Sequence, residues 1–154
     1  MTKLQEEIRQ TRPFATVEQE ASLSVARTAA LLEHAVGEAL KPYGLTPTQY
    51  NALRILRGAG DDGLCRNEVG ERMVAIVPDA TRLLDRLEQM GLVTRSREGT
   101  DRRFVRSRLT APGRQLVDSL DAVMTELHAR HLGHLGEDRL RTLVELLEAA
   151  RSNL

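Results

Sequence analysis

Asp79 to Thr110 reads D-A-T-R-L-L-D-R-L-E-Q-M-G-L-V-T-R-S-R-E-G-T-D-R-R-F-V-R-S-R-L-T, and this stretch decides the fold. Its first part places Leu83, Leu84, Leu87 and Met90 at helical spacing, with Thr81, Arg82, Asp85, Arg86 and Gln89 on the opposite face. Met90 and Gly91 break the helix. Leu92 to Arg97 and Phe104 to Leu109 then alternate loosely, with Gly99 in the turn between them, as two strands of a hairpin do. A helix feeding an arginine-laden hairpin is the outline of a winged helix-turn-helix. That arrangement sets a helix in one DNA groove and a charged loop in another.

Upstream of this stretch, a short helix is expected over 66–73, with Val69 and Met73 inward, and a turn over 74–77. The helix that follows is expected over 78–90, with Pro78 at its first position and Asp79 beside its positive end, although Val77 is a poor cap. Two short helices joined by so brief a turn have helix-turn-helix spacing. Further out, Leu23, Ala26, Ala30, Val36 and Leu40 mark a long amphipathic helix over 17–41, ended by Pro42 and Gly44. Residues 1–14 are expected to be a loose arm broken at Pro13. Thr46-Pro47-Thr48-Gln49 has the form of a capping box that opens a helix running to about Arg57. Beyond the hairpin, Thr110 caps a fifth helix with the stripe Leu116, Leu120, Val123 or Met124, and Leu127, broken by Gly133 and Gly136. A last helix over 137–151 carries Leu140, Leu143, Leu147 and Ala150. The expected class is mainly α with a small β-hairpin wing.

Composition narrows the function. The net charge is zero, but Arg95, Arg97, Arg102, Arg103, Arg106 and Arg108 crowd the hairpin against only Glu98 and Asp101, while both ends of the chain are acidic. Solubility alone does not call for six arginines and no lysine there. Arginine's planar fork suits phosphate and base contacts, and neighbouring arginines suit a narrow minor groove. Two Phe, two Tyr and no Trp argue against stacking platforms for single strands. One cysteine, Cys65, excludes an internal disulfide and fits a reducing cytosol. No apolar run reaches the ~20 residues of a membrane span, and the polar N-terminus does not read as a signal peptide, so a cytoplasmic protein is expected. No glycine-rich phosphate loop, nucleophile–histidine pair or metal-ligand cluster stands out, so neither an enzyme nor a cofactor is expected.

On the projecting helix, Pro78, Asp79, Thr81, Arg82 and Arg86 are the candidate DNA contacts. Arginine can bond bidentately to guanine, and threonine can meet a thymine methyl. The plainer reading makes Arg82, Asp85 and Arg86 a solvated face, with Asp85 and Glu88 diluting the charge. The first and last helices carry more apolar surface than a domain over 46–120 needs for its own core, so a second copy is expected to cover them, most often by two-fold symmetry.

At this point the chain resembles the multiple antibiotic resistance regulator (MarR) family. L-T-P-T-Q-Y-N-A-L-R-I-L (Leu45 to Leu56) is similar to that family's second helix, and T-R-L-L-D-R-L-E-Q-M-G-L-V (Thr81 to Val93) to its recognition helix and first wing strand. Asp101-Arg102-Arg103, followed by Leu109-Thr110, matches its wing signature. The resemblance covers about residues 17 to 152. It implies a homodimeric repressor, less often an activator, with one domain over 1–154. Helices over 17–41 and 111–152 would form the dimerisation platform and 46–110 the winged helix-turn-helix lobe. It implies that Arg103 enters the minor groove, that Asp101 braces it, and that Arg102 meets backbone or supports the tip. Arg66 is a phosphate-contact candidate. The DNA would be a double-stranded pseudopalindrome.

Many members of the family release DNA when a small phenolic or anionic molecule binds between platform and lobe. Arg27, His34, Tyr50 and Arg54 lie on elements that could line such a cleft, although Tyr50 also suits the core. Cys65 beside Arg66 raises a redox reading, against which stands the absence of a first-helix cysteine like that of the peroxide-sensing members. His128, His131 and His134 are three apart, but the third has rotated off the shared face, and solvated histidines are the default over a metal site. The remaining rival is a winged helix that meets an acidic protein partner instead of DNA.

Overall fold

The fold comes from a computed structural model that describes residues 1–97 and 105–154. Among the described residues, eight α-helices and three short strands follow in the order α1 (Lys3–Glu7), α2 (Val17–Leu40), α3 (Pro47–Ala59), β1 (Leu64–Cys65), α4 (Arg66–Arg72), α5 (Ala80–Gln89), β2 (Val93–Arg97), β3 (Val105–Leu109), α6 (Ala111–Ser119), α7 (Asp121–Leu132) and α8 (Glu137–Arg151). The class is mainly α with a winged-helix sheet, as expected. Among the described residues no helix is long and apolar enough to cross a membrane.

Several boundaries differ from the sequence reading. The arm is not wholly loose, because Thr2 and Gln5 form a capping box that starts α1. The Thr46–Gln49 box is present as expected, with Gln49 N–H donating to Thr46 Oγ1 at 3.2 Å and Thr46 N–H to Gln49 Oε1 at 3.0 Å. The projecting helix begins at Ala80, two residues later than Pro78 suggested. Asp79 is its N-cap, accepting from Thr81 N–H at 3.0 Å and Arg82 N–H at 3.3 Å. A cap carboxylate satisfies two otherwise orphan donors and faces the positive helix end, an advantage the first-turn proline did not match. The fifth helix is interrupted at Leu120, which divides it into α6 and α7.

The wing is a three-stranded antiparallel sheet, β1-β3-β2, rather than a bare hairpin. Arg95 faces Ser107 and Arg97 faces Val105 across β2 and β3, while Leu64 faces Ser107 across β1 and β3. One apolar cluster joins the lobe. It is built from Leu53 and Leu56 of α3, Val69 of α4, Leu84 and Leu87 of α5, Val93 of β2, and Val117 and Leu120 near α6, all essentially inaccessible. By contrast α8 buries no residue within the chain, and α2 buries only Leu40.

Arg57, near the end of α3, clamps the α6–α7 junction. Its Nη1 lies 2.8 Å from both Asp118 Oδ1 and Asp121 Oδ2, and its Nη2 lies 2.9 Å from Asp121 Oδ1. The guanidinium holds the Asp121 carboxyl below the usual carboxylate range. A carboxylate with a lowered folded pKa adds stability above its unfolded value, near 3.9, and that stability is lost as pH falls through the folded value. The melting temperature of Arg57→Met should therefore lie below that of the parent from pH 8 to about pH 5 and begin to converge on it only as pH falls below about pH 4. A gap that persisted unchanged in acid would show that the aliphatic stem, not the ion pair, carries the clamp.

Candidate nucleic-acid interface

The N-terminal half of α5 projects from the lobe. Leu84 and Leu87 bury its inner face, which leaves Arg82 and Arg86 exposed on the outer one. Arg86 Nη1 lies 3.5 Å from Gln89 Oε1, one turn along the same face. Pro78 is exposed just before the cap, and Thr81 is half-buried. Arg66, the first residue of α4, reaches across and donates from Nη1 to Thr81 Oγ1 at 3.3 Å. Arg66, Pro78, Asp79, Thr81, Arg82 and Arg86 are thus brought to one side of the lobe. Asp79 differs from the rest in that Oδ1 is committed to the cap. Asp101, Arg102 and Arg103 lie outside the described residues.

The hairpin arginines divide into two groups that the sequence reading had merged. Arg95 turns inward to α5. Its Nη2 lies 2.5 Å from Asp85 Oδ1 and 2.6 Å from Glu88 Oε2, and its Nε lies 3.0 Å from the same glutamate oxygen. The Glu88 hydrogen bonds are the largest of the contacts that push the Arg95 guanidinium further up. The acids read as diluting a DNA-facing charge therefore form a strut between recognition helix and wing. Arg106 and Arg108 reach back to the loop before β1. Arg106 Nη1 donates to Gly63 O at 3.1 Å and to Asp62 O at 3.3 Å. Arg108 spends Nε on Asp61 O at 2.6 Å, Nη2 on Asp62 O at 3.2 Å and Nη1 on Ser96 Oγ at 2.9 Å. Gly63 permits this approach, since at φ 65° a Cβ there would sit 2.7 Å from Ser107 O and from Arg108 Cγ. Among the described hairpin arginines, Arg97 is the exposed one.

A second feature lies on the far side of α3. A cleft of about 370 Å³ opens between α2, α3, α7 and the turn after α4, lined among others by Tyr50, Asn51, Arg54, Val74, Met124 and His128. Of the four candidate cleft residues it unites two. Arg54 Cζ lies 5.9 Å from the Tyr50 ring centroid, and burial pushes the Tyr50 phenol up. His34 lines a separate groove with Lys41 and Pro47, and Arg27 lies 3.9 Å from Glu7. Tyr50 is both core and cleft wall, being 7% exposed and part of the cleft lining. His128 and Asn51 were missed by the sequence reading. His128 had been grouped with its neighbours on α7, and Asn51 carried no local pattern. Among the described residues no three His, Cys, Asp or Glu side chains come together as metal ligands.

Cys65 sits at the N-cap of α4, with its backbone N–H donating to Glu68 Oε2 at 2.8 Å. That bond, followed by one from the thiol, holds the Glu68 carboxyl below its usual range.

Known proteins share this arrangement. The model of the MarR family matches residues 43–103, from the approach to α3 to a point between β2 and β3. An uncharacterised HTH-type transcriptional regulator of Bacillus subtilis, YkoM, is 28% identical over 118 residues, which is 77% of this chain and 75% of that protein. The crystal structure of a MarR transcription factor from Planctomyces limnophilus is 36% identical, covers 89% of this chain and 99% of its own, and superposes with a TM-score of 0.68. The MepR–DNA complex of S. aureus superposes with a TM-score of 0.79 over 86% of this chain and 97% of its own. At 22% identity it shows likeness of fold alone.

Proposed function

The chain belongs to the MarR family of DNA-binding transcriptional regulators, and from that premise we propose that it is a cytoplasmic homodimeric repressor of a pseudopalindromic operator. The observation that carries this reading is the outer face of α5. Arg82 and Arg86 stand exposed beside Arg66 and Thr81, while the acids of the same helix are turned away onto Arg95. A helix so arranged can offer guanidinium forks to base edges and phosphates, with Asp85 and Glu88 held by Arg95. Support for the dimer comes from the two helices left without cover. Val25 and Leu31 of α2 and Val144 and Leu146 of α8 are 49–64% exposed in the single chain. A two-fold partner that covered them would set two recognition helices about one DNA turn apart. The cleft beside Tyr50 and Arg54 is where a small phenolic or anionic effector would bind and release the DNA.

The test is binding of the purified protein to its own upstream DNA, with nonspecific duplex as competitor, at two salt concentrations. Competition-resistant binding with two symmetric footprints is the expected result. Equal loss to any duplex would remove the sequence-specific operator from the reading, and no binding at low salt would favour the protein-contact alternative. The wing has its own test. Arg103→Ala should weaken duplex binding by ~1–3 kcal/mol and lower the salt slope by about one unit. Unchanged affinity would sink the minor-groove role.

A further inference from the structure

The segment that carries the chain from α4 into α5 is thinly anchored. Val74 and Ile76 leave 92% and 100% of their surface exposed, so side-chain packing does little to fix it. At one end Met73 N–H closes α4 onto Gly70 O at 3.3 Å. At the other, the Asp79 carboxylate bonds forward into α5. Between those points, among the described residues, the hydrogen bond that ties the turn to the body of the lobe runs from Val74 N–H to Asn51 Oδ1 at 2.9 Å. The donor is a backbone N–H, so the amide oxygen must face the turn. Asn51 itself stands on α3 next to Ala52 and Leu53, both wholly buried, so the acceptor is mounted on the most firmly packed helix of the lobe.

We infer that Asn51 is a positioning residue for DNA recognition, pinning through Val74 the turn that presents α5. The inference rests on the DNA-binding reading above. An exposed turn with two bare apolar side chains has many conformations of similar energy, and one directional bond from a rigid helix selects among them. The recognition helix starts at Ala80, six residues beyond the pinned amide, so the entry angle of α5 is set from this point. Asn51 also lines the cleft.

The experiment compares Asn51→Ala, which removes the acceptor, with Asn51→Asp, which keeps a carboxylate oxygen in its place. Three quantities are read on the full chain. They are affinity for the duplex that the parent protein recovers from a randomised pool, hydrogen exchange at the Val74 amide, and melting temperature. Asn51→Ala should bind about 3–10-fold more weakly, in keeping with the loss of one net hydrogen bond, and its Val74 amide should exchange faster. Asn51→Asp should restore both at an unchanged melting temperature. Parental affinity or parental Val74 exchange in Asn51→Ala overturns the assignment. So does an Asn51→Asp protein as weak as Asn51→Ala while both melt like the parent. If Asn51→Ala does not fold, Asn51→Leu, which keeps the volume without the acceptor, replaces it. Should the parent recover no duplex, the DNA-binding reading falls, while Val74 exchange still decides whether the pin exists.

Discussion

Gly113→Ala is expected to destabilise the fold by about 3 kcal/mol and to lower the melting temperature by roughly 6–12 °C. Gly113 lies in the first turn of α6, which crosses directly over the peptide between α5 and β2. A Cβ built there would stand 2.1 Å from Leu92 O and 2.9 Å from Leu92 C. The obstacle is backbone, not the end of a flexible side chain. Leu92 O also accepts from Thr110 N–H at 3.1 Å, and Thr110 Oγ1 donates to Gly91 O at 2.7 Å while accepting from Gly113 N–H at 3.1 Å. Moving α6 away would break these bonds, and moving Leu92 would drag Val93, which is 2% exposed, out of the core. The expected cost therefore sits at the upper part of the usual range for overpacking. Gly133→Ala is the control, since its added Cβ meets nothing within 4 Å and its backbone is αR. Alanine there should be neutral or mildly stabilising. Thermal melts of both variants decide the matter. A Gly113→Ala protein within 1 °C of the parent would mean that the α6 crossing is looser than described.

The second large effect concerns assembly. Leu143→Glu should convert the proposed dimer to monomer and weaken operator binding about 10²–10⁴-fold. Leu143 is 37% exposed in the single chain and belongs to a helix that buries nothing within it, so a charge there leaves the lobe's own core intact. In a two-fold interface the substitution appears twice and buries two carboxylates against apolar partners. The loss of DNA affinity then follows from connectivity, because two half-sites joined in one molecule bind far more tightly than either alone. Sedimentation or light scattering gives the mass, and binding to the same duplex gives the affinity. A variant that remained dimeric would move the interface elsewhere. A monomer with parental affinity would remove the need for two half-sites.

Much of the lobe was legible in the sequence because its helices state their buried face in a regular period. Leu83, Leu84 and Leu87 mark α5, and the Thr46–Gln49 box marks the start of α3 to the residue. Other features leave no periodic trace. A two-residue strand such as β1 has no alternation to detect. The break at Leu120 is hidden because Leu116, Leu120 and Met124 continue one stripe across it. The start of α5 was misplaced because Pro78 and Asp79 compete for the same boundary, and the side-chain cap won. The duties of the arginines were the least legible. Arg95 had a findable signal, since Asp85 and Glu88 are one turn apart on the helix that leads into its strand. Arg106 and Arg108 had little, because apart from Ser96 Oγ the acceptors described for them are backbone carbonyls more than 40 residues away.

Those two long-range ties also bear on how this architecture diversifies. The root of the wing is fastened to the loop ahead of α4, and its last described rung is the Arg97–Val105 pair. Arg82 and Arg86, on the outer face of α5, take no part in those ties. A lineage can therefore revise that face while the root keeps its shape. Duplicated copies would acquire new target sites through it, a small patch of sequence free to drift on an inherited frame.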